Sequence, residues 1–309
     1  AIFVGIGNNG GDGLVVARHL KNIQKNVFVF IVEYAQKYSD DFAANFEKIK
    51  LLDINYKIIN QVEQINFDLS NFVVIDAIFG SGLSRPIEGL AADVIDFINQ
   101  SKKIELISID IPSGLLGEKN IIENQKIIRA NHTITFQYPY LSFLFAENEK
   151  YVGDFSVVDI GIHKDFVENS QTKFYCLEEK EIKKLIKKRP KFAHKGTFGH
   201  SLLLAGSFGK MGAAVLAAKA AHRSGLGLLT AHLPLQCVVI MQISSPETLL
   251  SIDKNELFST QIENTAKYTA LGIGPAIGFE PETLNLLQYV LINFVNKPII
   301  IDADAITII

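Results

Sequence analysis

The stretch Ala1-Ile2-Phe3-Val4-Gly5-Ile6-Gly7-Asn8-Asn9-Gly10-Gly11-Asp12-Gly13 decides how the chain is read. A short apolar run enters a Gly-x-Gly-x-x-Gly turn from Gly5 to Gly10, and Leu14–Lys21 follows with helical spacing. The next apolar run, Val27–Val32, closes on Glu33, 23 residues past Gly10. Strand, glycine turn, helix and strand in that order open a doubly wound, mainly parallel sheet. Phe72–Ile75, Leu106–Ile109, Thr133–Phe136 and Ser156–Val158 continue the strand series, and Ile87–Asn99 reads as a helix. Their short β-branched and aromatic runs suit strands buried on both faces.

Around Asn169-Ser170-Gln171-Thr172 the pattern turns polar, so a first domain is placed at 1–168 and a second at 173–309. Glu178–Lys191 reads as an amphipathic helix with Ile182, Leu185 and Ile186 on one face. A second α/β pattern follows: strand Ser201–Ala205, Ala-rich helix Ala213–Ser224 closed by Gly225, strand Leu228–Leu233, and strand-like runs at Tyr268–Ile273 and Pro298–Ile301. The chain opens and closes inside strand-like runs, which reads as a piece of a longer protein.

The 309 residues are 48% hydrophobic and 20% charged, which excludes wholesale disorder. A formal net charge of −3 supplies no basic field for nucleic acid or anionic lipid, and neither partner is expected. No apolar run has membrane-helix length. Two cysteines, Cys176 and Cys237, make neither a disulfide framework nor a zinc site. Both are expected to be core residues, in a cytoplasmic protein.

Taken alone, the glycine turn and Glu33 suggest hydride transfer with NAD. Asp12 argues against that, because it sets a carboxylate where a pyrophosphate needs N–H donors. As purely structural features, Asp12 caps the helix and Asn8 and Asn9 take left-handed turn conformations. Two further strands end in acids: Phe72–Ile75 runs into Asp76 and then Gly80-Ser81-Gly82-Leu83-Ser84-Arg85-Pro86, and Leu106–Ile109 runs into Asp110-Ile111-Pro112-Ser113-Gly114. Ligands bind at the carboxyl ends of strands in open parallel sheets, so Asn9, Asp76, Asp110 and Ser113 share one edge. Side-chain oxygens without a soft ligand point to a hard cation. Arg85 is placed to pair with a phosphate.

These three segments, in this order, resemble the signatures of the NAD(P)HX epimerase family, the N-terminal domains of bifunctional NAD(P)H-hydrate repair enzymes. The resemblance runs from residue 1 to about 168 and lacks the family's leading helical segment. It implies that Asn8, Asn9, Gly10, Gly11 and Asp12, with Gly80, Ser81, Gly82, Leu83, Ser84, Arg85 and Pro86, bind the hydrated dinucleotide NADHX or NADPHX. It implies potassium at Asn9, Asp76 and Ser113, and Asp110 as the substrate-contacting proton-transfer group. A homo-oligomer is expected.

In the second half, Gly206-Ser207-Phe208-Gly209-Lys210-Met211 lacks P-loop spacing and its Ser/Thr, and His194 and His200 lack companion metal ligands. This run, with Pro246-Glu247, Gly272–Gly278 and Asp302-Ala303-Asp304-Ala305, resembles the ADP/ATP-dependent NAD(P)HX dehydratase family, which has a ribokinase-like fold. The resemblance places Ala213, Gly274 and Ala276 at the hydrate site and implies ATP or ADP with magnesium. Ala276 stands where Gly is common, and Thr307 where Asn is common. The family's later Gly-Ser-Gly-Asp-type loop and catalytic aspartate lie beyond Ile309, so the 309 residues alone are expected not to dehydrate NAD(P)HX. The competing readings are a scaffold using the epimerase fold, an NAD-dependent dehydrogenase, and a small-molecule kinase.

Overall fold

The computed structural model describes residues 1–65, 67–119, 125–186, 188–294 and 296–309. It divides into two compact units, Ala1–Cys176 and Leu177–Ile309.

The first unit is a seven-stranded, wholly parallel sheet. Its strands are β1 (Ile2–Val4), β2 (Phe28–Val32), β3 (Asn55–Ile59), β4 (Val73–Ala77), β5 (Glu105–Ile109), β6 (His132–Phe136) and β7 (Asp154–Val158). The helices are α1 (Asn8–Asn22), α2 (Asp40–Leu51), α3 (Leu90–Gln100), the single turn α4 (Glu149–Val152) and α5 (Lys164–Asn169). The order is β3-β2-β1-β4-β5-β6-β7. The chain winds outward from β1 to β3, then crosses to β4 on the other side of β1, so the topological switch point lies between β1 and β4.

Alternation along each strand sends side chains to opposite faces. Ile2, Val4, Val29 and Ile31 pack with Leu14, Phe42, Phe46 and Ile49, beneath α1 and α2. Phe3, Phe30, Val32 and Val74 pack with Val94, Ile95 and Ile98 of α3. On this second face the Phe3 and Phe30 rings stack at 4.7 Å. The expected five strands are present. The structure adds β3, a polar-alternating edge strand. It also corrects the expectation that Ser156–Val158 is buried on both faces, because β7 is the other edge and all of it is exposed.

The glycines of the first turn act by close approach. A Cβ on Gly10 would lie 1.8 Å from the Gly5 carbonyl oxygen, and one on Gly13 2.6 Å from Val4 Cγ1. The first two turns of α1 therefore sit directly on the end of β1 and on β4. The helix starts at Asn8, with Gly7 as an N-cap that has no side-chain bond. This corrects the reading of Asn8 and Asn9 as left-handed turn residues and of Asp12 as a cap: all three lie inside α1.

The second unit is a five-stranded parallel sheet in the order β10-β9-β8-β11-β12. These strands are β8 (His200–Leu204), β9 (Leu228–Leu233), β10 (Leu249–Ile252), β11 (Ala270–Ile273) and β12 (Ile299–Ile301). The helices are α6 (Glu179–Leu185), α7 (Met211–Arg223), α8 (Val238–Ser244), α9 (Pro281–Asn293) and α10 (Asp304–Ile308). Helices α7 and α8 cover one face and α9 the other. Gly225 closes α7 in a left-handed conformation, φ +95°, as expected of a C′ residue. The Glu178–Lys191 expectation is corrected: the helix spans only seven residues, and Ile182, Leu185 and Ile186 are exposed. Cys176 is also exposed and is not a core residue, whereas Cys237 is buried. Among the described residues no helix is long and apolar enough to cross a membrane.

Gly10→Ala is expected to destabilise the first unit by about 3 kcal/mol or more, because α1 must lift off the end of β1. Urea unfolding followed by circular dichroism checks this, and a midpoint equal to the parent's refutes the close-approach role.

Candidate active site

The carboxyl ends of β1, β4, β5 and β6 converge on a cleft of about 760 Å³ beside the switch point. Its walls include Asn8, Asn9, Asp12, Tyr34, Phe79, Gly80, Ser81, Gly82, Leu83, Ser84, Arg85 and Asp110. Phe136, Gln137, Tyr140, Ile160 and Ile162 close the other side. Three of the expected binding residues lie elsewhere. Gly10 and Gly11 are buried under the cleft, against Gly5 and α2, and Pro86 is not in the wall.

Asp76, on β4, has no solvent exposure. Its Oδ1 accepts from Ser113 Oγ at 2.5 Å and the Ile78 amide at 3.2 Å. Its Oδ2 accepts from Ser108 Oγ at 2.8 Å and the Ser113 amide at 2.9 Å. Burial pushes this carboxyl above its ordinary value, against the pull of these four donors. The Ser113 hydroxyl in turn accepts from the Phe79 amide at 2.9 Å. The acid thus ties the loops after β4 and β5 together.

Beside it, Asn9 Nδ2 donates to the Ile109 carbonyl at 3.4 Å, while Asn9 Oδ1 is buried with no hydrogen-bond partner. Buried polar atoms are normally satisfied, so this orphan oxygen calls for a donor or a cation. No cluster of three or more His, Cys, Asp or Glu that could hold a metal occurs among the described residues. The oxygen atoms of Asn9, Asp76 and Ser113 at this corner are hard donors, of the kind that hold hard cations.

Asp110 follows β5 at φ +69°, a left-handed conformation that costs a non-glycine residue about 1 kcal/mol. The Asp110 amide donates to the Ile134 carbonyl at 2.8 Å. Its Oδ2 accepts from the Ser81 amide at 2.8 Å, and its Oδ1 from Tyr140 Oη at 2.8 Å. A Cβ on Gly80 would stand 2.8 Å from Asp110 Oδ2 and 3.2 Å from Asn9 Cβ, so that glycine lets the acid and the amide approach. Asp12 faces the same cleft. Desolvation first, then the Asp110 and Asp41 carboxylates, push its acid upward.

Sequence reasoning missed Tyr34, Phe136, Gln137, Tyr140, Ile160 and Ile162. Tyr34 and Phe79 form an aromatic wall with ring centroids 4.7 Å apart. Tyr140 and Gln137 follow β6 at the same sheet edge that exposed Asp76 and Asp110, and that position was the available signal.

In the second unit, the Gly206 amide donates to the Pro275 carbonyl at 2.8 Å and Ser207 Oγ to the Ala276 carbonyl at 2.9 Å. The segment 274–278 is therefore tied to the loop that leads into α7, which carries Ala213. Gly274 is forced to be glycine: at φ +132°, a Cβ would fall 1.7 Å from the Asp302 carbonyl oxygen. Ala276 adopts φ +57°, which explains in backbone terms why glycine suits that position.

Residues 1–142 match the family model described as YjeF-related protein N-terminus, and residues 201–309 match that described as NAD(P)H-hydrate dehydratase. A protein of Thermofilum pendens named bifunctional NAD(P)H-hydrate repair enzyme Nnr is 33% identical over 99% of this chain and 59% of its own length. The chain thus carries a YjeF-related N-terminal segment followed by an NAD(P)H-hydrate dehydratase segment. A Moorella thermoacetica protein of the same name is also 33% identical, again over 99% of this chain and 59% of its length. The chain thus spans about three-fifths of the length of these relatives. A Bacillus subtilis ADP/ATP-dependent NAD(P)H-hydrate dehydratase, co-crystallised with ATP/Mg²⁺, is 32% identical, covering 41% of this chain and 45% of that one, with a TM-score of 0.36.

Asp76→Ala leaves two hydroxyls and two amides without their acceptor and is expected to cost about 2–4 kcal/mol. Equilibrium urea unfolding of the chain checks it, and an unchanged midpoint refutes the tie.

Proposed function

We propose that the first unit interconverts the R and S forms of NADHX and NADPHX, the hydrated forms of NADH and NADPH. The juxtaposition of Asp110, Asn9 and the Gly80–Arg85 loop around one cleft, with the loops after β4 and β5 tied by the buried Asp76, carries this reading. The printed names of the relatives agree with it. The epimerised carbon bears a hydroxyl and adjoins the ring nitrogen. As the carbon–nitrogen bond opens, the hydroxyl oxygen becomes a carbonyl, the bond's electron pair stays on the ring nitrogen, and the hydroxyl proton ends on that nitrogen; the reverse transfer closes the ring on the other face, so the exchange needs a group that relays this proton. Asp110 is that group. Atoms and charge balance without an oxidant, and the cleft walls keep the opened form oriented.

Asn8, Asn9 and Asp12, with Gly80 to Arg85, form the dinucleotide-binding walls, and Arg85 pairs with phosphate. Asn9, Asp76 and Ser113 would hold a potassium ion. The orphan Asn9 Oδ1 and the unfavourably buried Asp76 carboxylate fit one. When bound, the ion supplies a positive charge next to the diphosphate. Asp12 argues against the dehydrogenase reading, because its carboxylate faces the cleft at the head of α1.

The second unit reads as part of a dehydratase that, in the whole protein, uses ATP or ADP with magnesium to eliminate water from S-NAD(P)HX. Ala213, Gly274 and Ala276 line its hydrate site in this reading. The cysteines are both unpaired, which suits the reducing cytoplasm, and a homo-oligomer is part of the same proposal.

In a mixture of R- and S-NADHX with potassium chloride, the parent is expected to equilibrate the epimers well ahead of the spontaneous rate, and Asp110→Ala at that rate; chromatography of the epimers reads the outcome. Parent and variant drifting together at the spontaneous rate sinks the epimerase reading. Potassium is expected to raise the melting temperature by about 3 °C at neutral pH relative to choline, and to do so no longer in Asp76→Asn. A potassium-insensitive parent in a thermal scan removes the ion from the proposal.

A further inference from the structure

We propose that Tyr140 is the positioning residue for the Asp110 carboxylate, a role that rests on the epimerase reading. Two donors from different elements clasp the acid. The Ser81 amide, from the loop after β4, holds Oδ2 at 2.8 Å, and the Tyr140 hydroxyl, from the loop after β6, holds Oδ1 at 2.8 Å. With one donor the carboxylate turns about its Cβ–Cγ bond; with two its plane is fixed.

The phenol is itself braced. Its ring meets Phe143 edge-on at 5.5 Å. It lies over Gly117, where a Cβ would come within 2.9 Å of Tyr140 Cδ1. Burial first, and then the Asp110 charge, push the phenol up to about 12. Tyr140 therefore stays protonated, and a hydrogen-bond donor, at neutral pH. Such a permanent donor holds the acceptor without competing for the substrate's proton, and the carboxylate's remaining lone pairs are left to receive it.

The test compares the parent, Tyr140→Phe and Asp110→Ala in potassium chloride, with R- and S-NADHX as substrate. Tyr140→Phe is expected to lower kcat about tenfold or more, with KM within about threefold of the parent. A structural role alone would lower thermal stability and leave the titration of the Tyr140 phenol indifferent to Asp110. Independently of any substrate, the ¹³Cζ resonance of Tyr140 is expected to begin its alkaline titration at lower pH in Asp110→Ala than in the parent. Tyr140→Phe turning over within twofold of the parent overturns the proposal, as does a Tyr140 titration that Asp110→Ala leaves unmoved. If the parent itself fails to outpace spontaneous drift, the epimerase reading falls instead. The resonance then decides the positioning role: an unmoved titration refutes it.

Discussion

A carboxylate with no access to water must have its lone pairs answered, and Asp76 imposes that requirement on the first unit. Its four donors come from β5, the loop after β5 and the start of the loop after β4. Satisfying them draws Ser113 back toward the sheet and fixes the turn that carries Asp110. That turn puts the Asp110 carboxylate against the Ser81 amide, in a space that only Gly80 leaves open. On the other side of the switch point, Gly10 and Gly13 seat α1 so low that Asn9 reaches the same corner. The site is thus assembled from the backbone requirements of one buried acid and a few glycines, with the cleft as their by-product.

Much of this was legible in the sequence because it is local. The run from Ala1 to Gly13 states strand, turn and helix within thirteen residues, and the strand-end acids Asp76 and Asp110 declare the sheet edge. Failures occurred where tertiary contacts override local preference. Asn8, Asn9 and two glycines are poor helix formers, yet they start α1 because the strand beneath accepts them. Strand β3 was missed because an edge strand needs no apolar run, and β7 was expected to be buried because its apolar run resembles a central strand. Tyr140 carries no signature of its own. Its role exists only once β6 lies beside β5 and brings its loop over Asp110.

The second unit repeats the principle of a buried acid organising loops. Asp253, which follows β10, accepts from the amides of Asn255, Thr260 and Gln261, from the Thr260 hydroxyl, and pairs with His232 of β9. Burial alone would raise this acid, but the donors win and hold it at about 2. The fastened segment then accepts the Phe208 amide through Leu257, beside the loop that Ser207 ties to Ala276. None of this was visible in the motifs, because Asp253 lies outside all of them.

The backbone at Asp110 has the conformation of a glycine while carrying an acid. Replacement by glycine would relax the chain there and delete the carboxylate proposed to carry the chemistry in a single step. Selection for a sturdier fold and selection for chemistry therefore pull against each other at one codon. In a lineage relieved of the need for this chemistry, decay has a downhill path at Asp110. At Asp76 it has none, since losing that acid leaves its donors unanswered.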